Sequence, residues 1–144
     1  MIRWWRGVIA VVLLAGCTLV ESQTAPDTTR TDLLGRLDEA RRDQAAALAL
    51  WDRIIFGEVV SCQEFIPVPE PLSVTAQHAG LRAIQEKLNA AIKSLRDSSD
   101  LWNIECNADR AYVPLSMAKE GRATALAATA PLDEAAALLA AYAG

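Results

Sequence analysis

Between Asp32 and Cys62 a single stripe runs along the chain: Leu33, Leu37, Ala40, Gln44, Leu48, Trp51, Ile55, Val59 and Cys62. Steps of three and four put these positions on one face of an α-helix, and eight of the nine are apolar. Such a helix must bury its stripe against other elements to be stable. Nothing alternates with period two for long enough to argue a strand, and 27 alanines bias the chain further toward helix. The expected fold class is therefore all-α, a small bundle of about three to five helices over residues 32–144. Thr31 or Asp32 can cap the first helix. Gly57 offers an early end, since an interior glycine costs about 1 kcal/mol relative to alanine.

Residues 63–72, QEFIPVPEPL, break the pattern. Pro67, Pro69 and Pro71 remove three donors and fix three φ angles, and each preceding residue is pushed toward extended backbone. This is a stiff connector that advances about 3.1 Å per residue; its spacer role is sufficient to explain it. Ser73 or Thr75 should start a second helix with the stripe Leu81, Ile84, Leu88, Ile92 and Leu95. Asp97-Ser98-Ser99-Asp100 reads as a turn, followed by a short helix from Leu101 with Trp102 and Cys106. Val113-Pro114 opens another helix. Its Gly121 and many alanines point to close helix approach rather than a thick core. Pro131 opens a last helix, where Asp133 and Glu134 suit the positive N-terminal end. With Leu132, Leu138 and Leu139 as its larger groups, this helix should dock on the bundle; a partner-binding edge is the alternative.

The N-terminus is organised differently. Arg3 and Arg6 form a positive start, and Val8 to Ala15 is an uninterrupted apolar run of eight residues. At about 1.5 Å per residue that run is too short to cross a hydrocarbon core of roughly 30 Å, and basic start plus short apolar run is the secretory pattern. The run ends in Leu14-Ala15-Gly16-Cys17, which resembles the lipobox of bacterial lipoproteins. The resemblance implies that residues 1–16 are a cleaved signal peptide and that Cys17 becomes a lipidated N-terminus. The two acyl chains of a diacylglyceryl thioether there would meet the requirement for stable anchoring. The partner implied is a membrane, held on the outer face of the cytoplasmic membrane or in the outer membrane, without a spanning helix. Residues 17–31 are then a tether, reaching roughly 20 Å in r.m.s. terms. No domain family is recognised in residues 32–144.

Export favours oxidation, and with Cys17 lipidated two cysteines remain. An internal disulfide between Cys62 and Cys106, 44 residues apart, would contribute on the order of 4 kcal/mol in the chain-entropy model. It also constrains topology. A plain hairpin of the first two helices would leave Cys106 roughly 45 Å from Cys62, whereas disulfide Cα atoms lie within about 7 Å. If the connector runs back along the first helix and the second climbs again, the two helices are roughly parallel. An antiparallel pair without the disulfide is the alternative.

Chemistry-bearing patterns are sparse. The formal net charge is −4, and −6 once Arg3 and Arg6 leave with the signal, so no basic excess argues for nucleic acid. His78 is the chain's one histidine; neither a haem held with Met117 nor a metal site is expected from it, and no cofactor is expected. Asp38/Glu39 and Asp133/Glu134 are adjacent in sequence and diverge by about 100° on a helix. Glu105 and Asp109 share a helix face, with Arg110 near to balance them. No GxSxG, SxxK or phosphate loop appears. The resulting expectation is a non-catalytic envelope lipoprotein with a protein-interaction or structural role. The alternative is a small-ligand binder with a pocket near Trp51 and Trp102, rimmed by Glu58 and Glu64.

Overall fold

The computed structural model describes residues 28–74, 76, 78–108 and 112–142. The signal segment, Cys17 and most of the expected tether lie outside the described residues, as do Asp109 and Arg110. Among the described residues there are four helices and no strand.

Helix α1 spans Arg30–Ile55. It starts two residues before Asp32, because Thr29 and Asp32 form a reciprocal cap. The Asp32 N–H donates to Thr29 Oγ1 at 3.2 Å, and the Thr29 N–H donates to the Asp32 carboxylate at 3.0 Å. The Thr29 hydroxyl, donating to the Asp32 carboxylate at 2.7 Å, and then the Thr29 N–H hold the Asp32 carboxyl below its ordinary pKa. The helix ends at Gly57, whose φ of 89° is left-handed. The Gly57 N–H donates to Ile54 O and the Glu58 N–H to Arg53 O, the paired closure of a Schellman motif. The stripe read to Cys62 therefore stops at residue 55, and Val59 and Cys62 are exposed on a loop.

Helix α2 spans Ala79–Asn107, which corrects two expectations. Its start is later than Ser73 or Thr75, and it passes straight through Asp97-Ser98-Ser99-Asp100 without a turn. The apolar face explains this: Leu88, Ala91, Leu95, Ser98, Trp102 and Glu105 are all buried at three- and four-residue steps. Packing thereby overrides the local turn preference of serine and aspartate. Lys93 pairs with Asp97 one turn on, and Ser98 spends its hydroxyl on other helices instead of on its own backbone.

The chain between α1 and α2 is laid along α2 in the opposite direction, and α2 side chains take the place of a neighbouring strand. Trp102 Nε1 donates to Glu64 O at 2.8 Å, and Ser99 Oγ to Ile66 O at 3.3 Å. The Asn89 amide both accepts from the Leu72 N–H and donates to Leu72 O, at 2.7 and 2.8 Å. Gln85 does the same for the Ala76 N–H and Ser73 O. This satisfies the backbone of a proline-rich segment that cannot form a regular ladder. The connector thus returns the chain, and α1 and α2 run parallel.

Helix α3, Leu115–Leu126, and helix α4, Thr129–Ala141, climb back as a rod broken at Ala127-Ala128. Pro131 lies inside the first turn of α4, where its missing N–H is harmless. The rod meets α1 along its length: Gln44 Nε2 donates to Ala125 O and Thr129 Oγ1, Arg41 pairs with Asp133, and Arg30 Nε donates to Leu139 O. Leu132 and Leu139 are buried and Leu138 faces outward, so the last helix docks on the bundle. The core has two parts. One gathers Leu33, Leu37, Leu81, Ile84, Leu88 and Leu139 near the helix starts, and the other gathers Leu50, Trp51, Ile66 and Trp102 toward the far end. No helix among the described residues is long and apolar enough to cross a membrane.

Candidate functional site at the disulfide end

Three termini converge at one end of the bundle: the ends of α1 and α2 and the start of α3. The Cys62–Cys106 disulfide joins the loop that follows α1 to the last turn of α2, with Cα atoms 5.5 Å apart. This is the parallel arrangement that the cysteine spacing permits.

Just inside this end, Trp51 and Trp102 pack edge to face, with ring centroids 5.8 Å apart. Trp51 Nε1 donates to Ser98 Oγ at 2.8 Å, and Ser98 Oγ donates to Gly121 O at 3.0 Å. One buried hydroxyl therefore links α1, α2 and α3. Trp51 is 0% and Trp102 1% exposed, and Gly121 leaves the space that the Trp51 indole fills. The structure brings the two tryptophans together as core, not as the walls of a ligand pocket. Neither tryptophan lines the cleft that opens near them.

A cleft of about 270 Å³ does open nearby, beside the disulfide. Ile54, Val59, Val60, Tyr112 and Val113 give it apolar walls, the two cysteines contribute to it, and Glu58 and Glu105 supply carboxylates. Of the two expected rim acids, Glu58 is there. Glu64 instead clamps the loop: Arg53 reaches Glu64 at 2.6 Å and Glu58 at 2.6 Å. The Arg53 hydrogen bond, reinforced by its charge, holds the Glu58 carboxyl below its ordinary pKa against a smaller opposing cost of burial. Those acids in turn raise the Arg53 guanidinium.

Around the cleft, large apolar side chains stand in solvent. Phe56, Val59 and Phe65 on the loop, Ile104 on α2, Tyr112 before α3 and Leu115 on α3 are all exposed. A single exposed apolar residue needs no explanation, but a concentration at one place does. Sequence reading missed Phe56, Phe65 and Tyr112, which sit off any helical stripe. Only the left-handed Gly57, by ending α1 early, could have signalled that Val59 leaves the core.

The other sequence candidates do not assemble into a site. His78 is exposed at the start of α2, while Met117 lies on α3 at the opposite end. Glu39 pairs with Arg36, Asp133 with Arg41 and Glu134 with Lys87, all on partly exposed faces. Among the described residues no three His, Cys, Asp or Glu side chains are grouped to hold a metal. No protein-family model matches this chain, and no curated protein and no solved structure matches it.

Proposed function

We propose that this protein is a non-catalytic, lipid-anchored envelope lipoprotein that uses the disulfide end of its bundle to dock a protein partner. The observation that carries the reading is the gathering of Phe56, Val59, Phe65, Ile104, Tyr112 and Leu115 at one end, away from where the chain enters the fold at Thr28. With 26 residues in α1, the two ends are about 39 Å apart. An anchor on Cys17 and a tether would therefore present this end away from the membrane.

Site-specific photo-crosslinking in intact cells tests the docking end. A crosslinker at Phe65 should capture protein far more efficiently than one at the exposed Arg42 on α1. Equal capture at the two positions would refute the reading. Anchoring is tested separately: Cys17→Ser should leave the membrane fraction and lose fatty-acid labelling, and retained labelling would refute it.

A further inference from the structure

We infer that Cys62–Cys106 is a thiol-exchange site: a disulfide that a dithiol reductant opens in the folded protein by attack on Cys62, and that closes again in place. Access to the bond and the other ties on its loop carry this, independently of the docking reading. Exchange requires a thiolate to reach one of the two sulfurs, so access is one of the factors that set its rate. Cys62 is exposed on the loop that follows α1, and Cys106 is half-buried in the last turn of α2. Both cysteines line the cleft of about 270 Å³, so space for an incoming sulfur lies against the bond. A crosslink that only braces a core needs no such opening. The loop also keeps its place without the bond. Arg53 grips Glu58 on one side of Cys62 and Glu64 on the other, at 2.6 Å each. The Glu64 N–H donates to Ser61 O at 2.9 Å, which closes a turn around Cys62 and Gln63. Trp102 Nε1 donates to Glu64 O at 2.8 Å, and Trp102 lies one helical turn before Cys106 on α2. Opening the disulfide therefore leaves two thiols facing each other, on backbone still set near the 5.5 Å Cα separation that the bond needs.

That proximity selects the reductant. A thiolate attacks Cys62 Sγ and a new S–S bond forms there. The Cys62–Cys106 bond breaks, and its electron pair leaves on Cys106 Sγ, which takes a proton from water. With a monothiol the process stops at this mixed disulfide. Cys106, held beside it, attacks Cys62 Sγ in turn and expels the monothiol. A dithiol instead sends its second thiolate against its own sulfur in the mixed disulfide, and Cys62 leaves as a thiolate and is protonated. Two electrons pass to the cysteine pair and the dithiol becomes a disulfide. An oxidised disulfide reagent runs the same steps backward and restores Cys62–Cys106.

The test uses the full chain, oxidised and without denaturant, with dithiothreitol as the dithiol, glutathione as the monothiol and thioredoxin as a protein dithiol. Acid quench, alkylation and peptide mapping follow Cys62 and Cys106 separately from Cys17. Dithiothreitol should open the pair completely, at a rate that does not change with urea below the unfolding transition, since the folded protein is what reacts. A rate that climbs with urea as unfolding does overturns the inference, because the bond then opens only in unfolded molecules. A short glutathione pulse should leave glutathione on Cys62 at least about tenfold more often than on Cys106, as access dictates. Equal adducts overturn Cys62 as the attacked sulfur. Glutathione at the same thiolate concentration should yield little net dithiol, and full opening by it overturns the need for a dithiol. Oxidised glutathione should restore Cys62–Cys106, and pairing with Cys17 or between chains overturns closure in place. In acid-quenched cells both the dithiol and the disulfide should be found; a pair wholly oxidised there overturns exchange in the envelope. Opening by thioredoxin faster than by dithiothreitol at equal thiolate assigns the source to a protein dithiol, and slower opening assigns it to a small one. None of these results depends on capture at Phe65, so exchange and docking fail separately.

Discussion

A Cβ placed on Gly121 would lie 2.3 Å from two carbons of the Trp51 indole. No real Cβ sits that close to another carbon, so α1 and α3 approach as they do only because residue 121 is glycine. Gly121→Ala gains helix propensity of about 1 kcal/mol but must push the indole out of a close-packed core, at a cost of about 3 kcal/mol or more. A net loss of about 2 kcal/mol is expected, lowering the Tm by roughly 8 °C. Gly35 is the control: it is exposed on α1 with nothing within 4 Å of its added Cβ. Gly35→Ala should raise stability by about 0.5–1 kcal/mol. Thermal melts that move both variants the same way would contradict this account.

Ser98 should be sensitive for a different reason. Its hydroxyl accepts from Trp51 and donates to Gly121 O while fully buried. Ser98→Ala leaves both partners unsatisfied in a dry core, at a cost of about 1–3 kcal/mol each at most. Trp51→Phe in the Ser98→Ala background should cost less than the sum of the two single changes, because the shared hydrogen bond can be lost only once. Strict additivity in urea denaturation would show that the bond contributes nothing.

Reduction of Cys62–Cys106 is expected to weaken the fold without dissolving it. The crosslink contributes about 2–4 kcal/mol, yet the same loop is held independently by Arg53 through Glu58 and Glu64, and by Trp102 Nε1 on Glu64 O. Far-UV circular dichroism should stay helical in reductant while the urea midpoint falls. Loss of the helical signal on reduction alone would place the fold's integrity in the disulfide.

Helix α4 separates its leucines by burial. Leu132 and Leu139 are each 1% exposed and Leu138 is 37% exposed. Truncation to alanine should cost about 2–5 kcal/mol at Leu132 or Leu139 and well under about 1 kcal/mol at Leu138. Equal effects at all three would mean that α4 does not dock by this face.

Acid should release the Glu58 clamp. A carboxyl whose folded pKa is depressed contributes stability that is present above its unfolded value and is lost as pH falls through the folded value. Glu58 lies below its ordinary value of 4.5, so the clamp should hold at neutral pH and open only below that point. Carboxyl NMR should give a Glu58 midpoint under 4.5 that rises in Arg53→Gln. A midpoint at or above 4.5 in the unaltered protein would show that Arg53 is not engaged in solution.

Much of the architecture was legible because periodicity reports burial. Leu33, Leu37, Leu81, Ile84, Leu88 and Leu132 face the core as their spacing requires. The cysteine separation required a returning connector, and Asn89 and Gln85 fasten one. Boundaries were less legible. Asp97-Ser98-Ser99-Asp100 carries a strong turn signal, but a local preference worth tenths of a kcal/mol yields to burial of Trp102 one turn later. The exposed end was barely legible: Phe56 and Phe65 leave the core because the left-handed turn at Gly57 ends α1 and carries the loop into solvent, while Tyr112 stands exposed between α2 and α3. Gly121 and its alanine neighbours signal close approach only, and the identity of the group approached, Trp51, depends on a contact 70 residues away in the chain.

The parallel course of α1 and α2 has a bearing on the order of assembly. Because α1 is closed over by the returning rod, Arg30 meets Leu139, Arg41 meets Asp133, and Trp51 meets Gly121. The first helix to be synthesised is covered by the last residues to follow it, and no shorter fragment contains a partner for its whole apolar face. A nascent chain therefore carries a Leu33–Leu37–Ala40 stripe that α2 covers only in part until α4 has been made, the condition in which unfinished domains associate wrongly with one another. The same closure makes the finished molecule cooperative: to fray either terminus is to uncover the other.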